Sequence, residues 1–101
     1  MNETVSTVAA VADVATAKAS GYLQQLCKHF GHKIPVSFDP SQGRIEFAAG
    51  VCELDATEPG VLRLRVSARD AEGLARLEGV VGSHLGRFAF REELRVEWRP
   101  A

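Results

Sequence analysis

The stretch from Lys33 to Val66, "KIPVSFDPSQGRIEFAAGVCELDATEPGVLRLRV", decides the fold, because apolar and polar residues alternate in it four times over. Ile34, Val36 and Phe38 alternate with Lys33, Pro35 and Ser37, and Ile45 and Phe47 alternate with Arg44 and Glu46. Cys52, Leu54 and Ala56 are opposed by Glu53 and Asp55, and Leu62, Leu64 and Val66 by Arg63 and Arg65. Successive side chains of a strand leave by opposite faces, so each run predicts a short strand with one apolar and one polar side. "DPSQG" (39–43), Gly50 and "TEPG" (57–60) supply the Pro, Gly, Asp and Ser that turns use. The stretch therefore reads as a meander of four antiparallel strands. Pro35 has no N–H to give to a ladder, which puts its strand at a sheet edge.

A sheet with one apolar face needs a cover, and the flanking sequence supplies two. Tyr22, Leu23, Leu26, Cys27 and Phe30 recur at helical spacing and predict a helix over 17–30, with Thr16 as N-cap and Gly31 as a left-handed C-cap. Downstream, Ser67 and Asp70 fit a capping box, and Leu74, Leu77, Val81, Leu85 and Phe88 form the core-facing stripe of a second helix ending near Phe88. The β-branched and Ala-rich run Thr4–Val11 predicts a first strand. Leu94, Val96 and Trp98, alternating with Glu93, Arg95, Glu97 and Arg99, predict a closing one. The expected fold is α+β: a mainly antiparallel sheet with both helices on one face, in the order β-α-β-β-β-β-α-β. Its outward face would carry Arg44, Glu46, Glu53, Asp55, Arg63, Arg65, Arg95 and Glu97, whose signs can pair across strands.

At 101 residues the chain is expected to be one domain, 1–101, and 46% hydrophobic with 25% charged residues is globular composition. A net charge of −1 gives no field to attract a polyanion, and the aromatic residues fall in apolar sets and build no stacking platform, so nucleic acid is not an expected partner. No apolar run reaches the roughly 18 residues of a membrane span. The N-terminal stretch lacks the basic region of a signal peptide, and two cysteines make no disulfide framework, so the expected location is cytoplasmic with reduced thiols.

The reactive side chains cluster at "LCKHFGHK" (26–33). Its C-x-H-x-x-H spacing matches none of the paired structural zinc signatures, so the segment reads as a helix end running into a strand, with no metal ligand and no cofactor expected. His84 lies in the apolar sector of the second helix, where a core imidazole needs a hydrogen-bond partner such as a backbone carbonyl. If the helices pack side by side, Cys27 and His84 could meet as the minimum of a thiol nucleophile, with no orienting third group. Arg87 and Arg91, in "RFAFREEL" (87–94), could hold an anion, although such a segment more often staples a helix to a strand. Gly79, Gly82 and Gly86 lie opposite the apolar stripe and cost roughly 1 kcal/mol each in a helix interior, which raises the alternative of a ridge that receives another backbone. The chain has no G-x-G-x-x-G, P-loop, G-x-S-x-G or H-E-x-x-H motif.

The blocks "YLQQLCKHFGHKIPVSFDPSQGRIEF" (22–47), "CEL" (52–54) and "HLGRFAFREEL" (84–94) together resemble a family of small bacterial proteins known as domain of unknown function 2218. The order of strands and helices also resembles that of the TBP-like class. The family resemblance implies a stand-alone protein of about this length, and an association of some relatives with siderophore-interacting flavin reductases. It brings no catalytic residues. The expectation is a non-enzymatic binding or accessory module, linked through the resemblance to iron or siderophore handling. Cys27, His29, His32, His84, Arg87 and Arg91 are its candidate ligand-binding residues. A siderophore-interacting flavin reductase or a second copy of the chain is its expected partner. The alternatives are an oligomeric interaction protein and a thiol enzyme using Cys27 with His84.

Overall fold

The computed structural model describes residues 7–101. Its elements are β1 (Val8–Ala15), α1 (Ala19–Phe30), β2 (Val36–Phe38), β3 (Gln42–Phe47), β4 (Gly50–Asp55), β5 (Val61–Ala68), α2 (Ala71–Phe88) and β6 (Arg99–Pro100), in the expected order. The six strands form one antiparallel sheet, β2-β3-β4-β5-β1-β6, with the Pro35 strand at an edge as its missing donor requires.

Register accounts for the one-sided burial. One row across the sheet runs Ala12, Leu64, Leu54, Gly43, and the next runs Ala10, Val66, Cys52, Ile45, Val36. These rows face Leu23, Leu26 and Cys27 of α1 and Leu77, Val81 and Leu85 of α2, all buried in one core. The opposite face carries the rows Asp13, Arg63, Asp55 and Arg65, Glu53, Arg44. Opposite signs sit side by side in both rows. Small residues bring α1 close: a Cβ on Gly43 would stand 2.8 Å from the Cys27 Sγ and 3.4 Å from a Leu23 methyl.

The element ends depart from the sequence reading, each for a local reason. β1 runs Val8–Ala15 where Thr4–Val11 was expected, and residues 4–6 lie outside the described residues. Asp13 lies in the strand on the outer face, where Arg63 Nε donates to its Oδ1 at 2.8 Å. Because β1 continues to Ala15, and the Thr16 N–H still donates to the Gly60 carbonyl, the helix starts at Ala19; the Thr16 hydroxyl accepts from the Lys18 N–H instead of capping α1. Gly31 is right-handed, at φ −63° and ψ −13°, and the chain winds on through Lys33 and Ile34 N–H groups donating to the Phe30 carbonyl. Ser67 is held in β5 between Ala9 and Val51, so Asp70 is the N-cap of α2, its carboxylate accepting from the Gly73 N–H at 2.8 Å.

The largest difference lies after α2. Leu94–Trp98 pair with no strand, and only Arg99 and Pro100 join the sheet, beside Val11 and Ala10. Leu94, Val96 and Trp98 instead lay their apolar side on the core as a strap, leaving Arg95 and Glu97 exposed and paired with each other, away from the sheet's outer face. The strap crosses the glycine ridge. A Cβ on Gly82 would meet Val96 and the Trp98 indole at 3.9 Å, whereas Gly79 and Gly86 face open space. The middle of the ridge thus receives the chain's own strap. Glu92 anchors the near end, accepting from the Thr16 hydroxyl at 3.2 Å and from the Tyr22 hydroxyl. The segment "RFAFREEL", read as a staple from helix to strand, is thus tied by Glu92 to the start of α1 instead.

Two outcomes follow. Gly43→Ala should lower unfolding free energy by about 1–3 kcal/mol in urea titration, since α1 must shift to seat the added methyl. Hydrogen bonding to the Glu92 carboxylate holds the Tyr22 phenol above its usual range. As the chain has one tyrosine, tyrosinate absorbance should titrate at higher pH in the folded protein than in denaturant. The sign is that of a raised folded-state value: the contribution is full below about pH 10, the unfolded value, and is lost as pH rises through the folded one.

Candidate functional site: the imidazole pair between the helices

The last turn of α1 presents His29 and Phe30, and α2 presents His84 and Phe88 one turn apart on the side that meets α1. The rings converge there. His29 and His84 have centroids 5.0 Å apart with planes tilted by 45°, and Phe30 lies 4.9 Å from each of them. Phe88 packs edge-on to His29 at 5.6 Å, and Phe47 of β3 packs edge-on to Phe30 at 5.0 Å, fixing the cluster to the sheet. His84 Nδ1 lies 2.8 Å from the Val80 carbonyl, an acceptor only, so Nδ1 carries the proton and the neutral ring keeps its lone pair on Nε2. This is the backbone-satisfied histidine expected of that helix. His29 is exposed and His84 half-buried, so both imidazoles border solvent.

The bacterial family described as "Uncharacterized protein conserved in bacteria (DUF2218)" matches residues 11–99. The chain belongs to this family. It is also similar to PA4090 from Pseudomonas aeruginosa, whose NMR structure shares 37% sequence identity and superposes with a TM-score of 0.78, covering 93% of this chain and 97% of that one. No curated protein matches it. Among the described residues, no helix is long and apolar enough to cross a membrane.

The other candidate residues of this DUF2218 chain stand apart from the pair. Cys27 and Cys52 are free and fully buried. Burial raises the Cys27 thiol to about 11, and burial, with the nearby Cys27 and Glu53 adding to it, raises Cys52 to about 12. The thiolate that a nucleophile or metal ligand requires is therefore scarce at neutral pH. Cys27 points its sulfur at Gly43, beneath the helix, and no hydrogen bond joins it to His84. His32 is exposed in the turn beyond α1, outside the ring cluster. Arg87 is exposed on α2, and Arg91 lies over the ring of Phe90, 5.4 Å from its centroid. Among the described residues, no group of three or more His, Cys, Asp or Glu is placed to hold a metal ion.

The outer sheet face has a shallow depression of about 660 Å³ lined by Phe38, Arg44, Glu53, Arg63 and Arg65. Most of its charges are already engaged. Arg44 meets Glu46 and Glu53, and Arg63 meets Asp13 at 2.8 Å and Glu58 at 3.3 Å. The Arg63 hydrogen bond, with Arg99 assisting, holds the Asp13 carboxyl below its usual range. The imidazole pair is a place where two rings meet at the surface with a nitrogen of His84 uncommitted.

Helical wheels put His84 in the apolar sector and His29 at the margin of its own, but nothing in either wheel says that the two margins meet. Phe47 and Phe88 read only as core. The available signal was His84 and Phe88 at i, i+4 together with the adjacent His29 and Phe30.

In folded protein, Cys27 and Cys52 should resist an alkylating reagent at neutral pH, and both should react in denaturant. Mass spectrometry of the labelled chain checks this, and rapid folded-state labelling of Cys27 would revive a thiol role.

Proposed function

We propose that this protein is a small non-enzymatic binding or accessory module, with its ligand site at the His29, Phe30, His84 and Phe88 patch. The observation that carries the reading is the 5.0 Å approach of the two imidazoles at the surface between the helices, with the His84 ring held by Val80. Flat aromatic sides and a few oriented polar groups are what small-ligand sites are made of. The elevated thiols and the lack of a Cys27–His84 hydrogen bond weigh against the thiol-enzyme alternative. Arg87, one residue before Phe88, is the cation of the candidate set that adjoins the patch in sequence, and it suits an anionic ligand. The family resemblance favours a ligand from iron or siderophore handling, and a siderophore-interacting flavin reductase as the protein partner.

Self-association is a second reading, and the open surface over Gly79 and Gly86 speaks for it. Since the strap occupies Gly82, a second copy would have to straddle it.

Titration with ferric hydroxamate and ferric catecholate chelates, followed through the NMR signals of the patch, should give saturable paramagnetic broadening centred on α1's last turn and on α2 around His84. No saturable response to any ferric chelate would remove the iron reading. Light scattering at micromolar concentration separates the two readings, since a molar mass equal to the monomer excludes the second.

A further inference from the structure

We propose that His29 and His84 together bind one divalent transition-metal ion of borderline softness, such as zinc, copper or cobalt. The inference rests on the reading that this patch is the ligand site, and adds the chemical class of what it holds.

Three observations carry it. The first is spacing. An ion about 2.0–2.1 Å from a nitrogen of each imidazole lies roughly 3.2 Å from each ring centroid, and a tetrahedral angle at the ion then puts the centroids about 5 Å apart. The observed separation is 5.0 Å. The second is orientation. Metal-binding histidines commonly give their other N–H to a carbonyl or carboxylate, which fixes the tautomer and leaves the second nitrogen free to ligate; the Val80 carbonyl lies 2.8 Å from His84 Nδ1 in this role. Phe30 and Phe88 brace the His29 ring from two sides.

The third is the composition of the two segments that meet there. Residues 24–38 and 79–91 contain no Asp or Glu, but they contain Lys28, Lys33, Arg87 and Arg91. Magnesium and calcium are held mainly through carboxylates, which these segments lack, whereas imidazole suits zinc, copper and cobalt. Among the described residues no third protein ligand completes the sphere, so the remaining positions belong to water or to a small external ligand. The basic surroundings favour an anionic one.

The test uses the tag-free full chain and chloride salts of each metal. Isothermal titration should give one-to-one binding of zinc and cobalt, tighter binding of copper, and none of magnesium. Cobalt should add visible absorption, and zinc should shift the imidazole nitrogens of His29 and His84 in NMR spectra. His29→Phe and His84→Phe keep a flat ring in the cluster but remove the nitrogen, and each should weaken binding by about tenfold or more. Trp98 fluorescence and circular dichroism check that the variants remain folded. His32→Phe should leave affinity unchanged. The proposal is overturned by absent one-to-one binding in the unaltered chain, by unchanged affinity in both Phe variants, or by loss of binding in His32→Phe. Ferric chelates that bind at the patch of a chain showing no one-to-one binding of zinc, cobalt or copper would sink the metal–imidazole assignment and leave the patch reading standing. Zinc binding that weakens in both Phe variants without any response to ferric chelates would remove the iron reading and leave the metal–imidazole assignment standing.

Discussion

The inner rows of the sheet, Ala12, Leu64, Leu54, Gly43 and Ala10, Val66, Cys52, Ile45, are kept from water mainly by the two helices. Each fully buried Leu, Ile or Val is worth roughly 1.5–3 kcal/mol, so leaving this face open would cost more than a domain's entire margin of stability. Small residues decide how near the cover can come. Gly43 gives the Cys27 sulfur room under α1, and Ala10 and Ala12 keep β1 low on the same face. The cysteines are filling in this arrangement, and burial that suits them as filling also suppresses their chemistry.

Docking both helices on one face brings their flanks together. The apolar stripe of α2 ends at Phe88, the last turn of α1 ends at Phe30, and Phe47 rises from β3 beneath them. His29, at the margin of its stripe, and His84, in the apolar sector of α2, are thereby brought to a 5.0 Å ring separation. The candidate site is a by-product of core packing. The strap closes the far side of α2 in a similar way, tied by Glu92 to Thr16 and Tyr22 and covering Gly82 with Val96 and Trp98.

What was legible in the sequence follows from how local each determinant is. Period-two alternation in the meander and the 3.6-residue period of the two helices are properties of single segments, and they placed six elements on the correct face of an α+β fold. Boundaries depended on partners. Asp13 is tolerated in β1 because Arg63 faces it, and Ser67 stays in β5 because strands flank it on both sides. Leu94–Trp98 alternates like a strand but packs as a strap, because apolar alternation specifies one buried side and does not specify what lies against it. The imidazole pair needed the crossing of two helices, which no pattern within one helix contains.

The lattice of alternating charge on the outer sheet face has a consequence for encounters. Arg44, Arg63 and Arg99 there each have a carboxylate within 4 Å, far less than the Debye length of about 8 Å in physiological salt. Their fields cancel before reaching an approaching molecule. Seen from a distance that side of the protein is electrically flat, and it neither beckons nor repels; a partner would discover its pattern only on touching it.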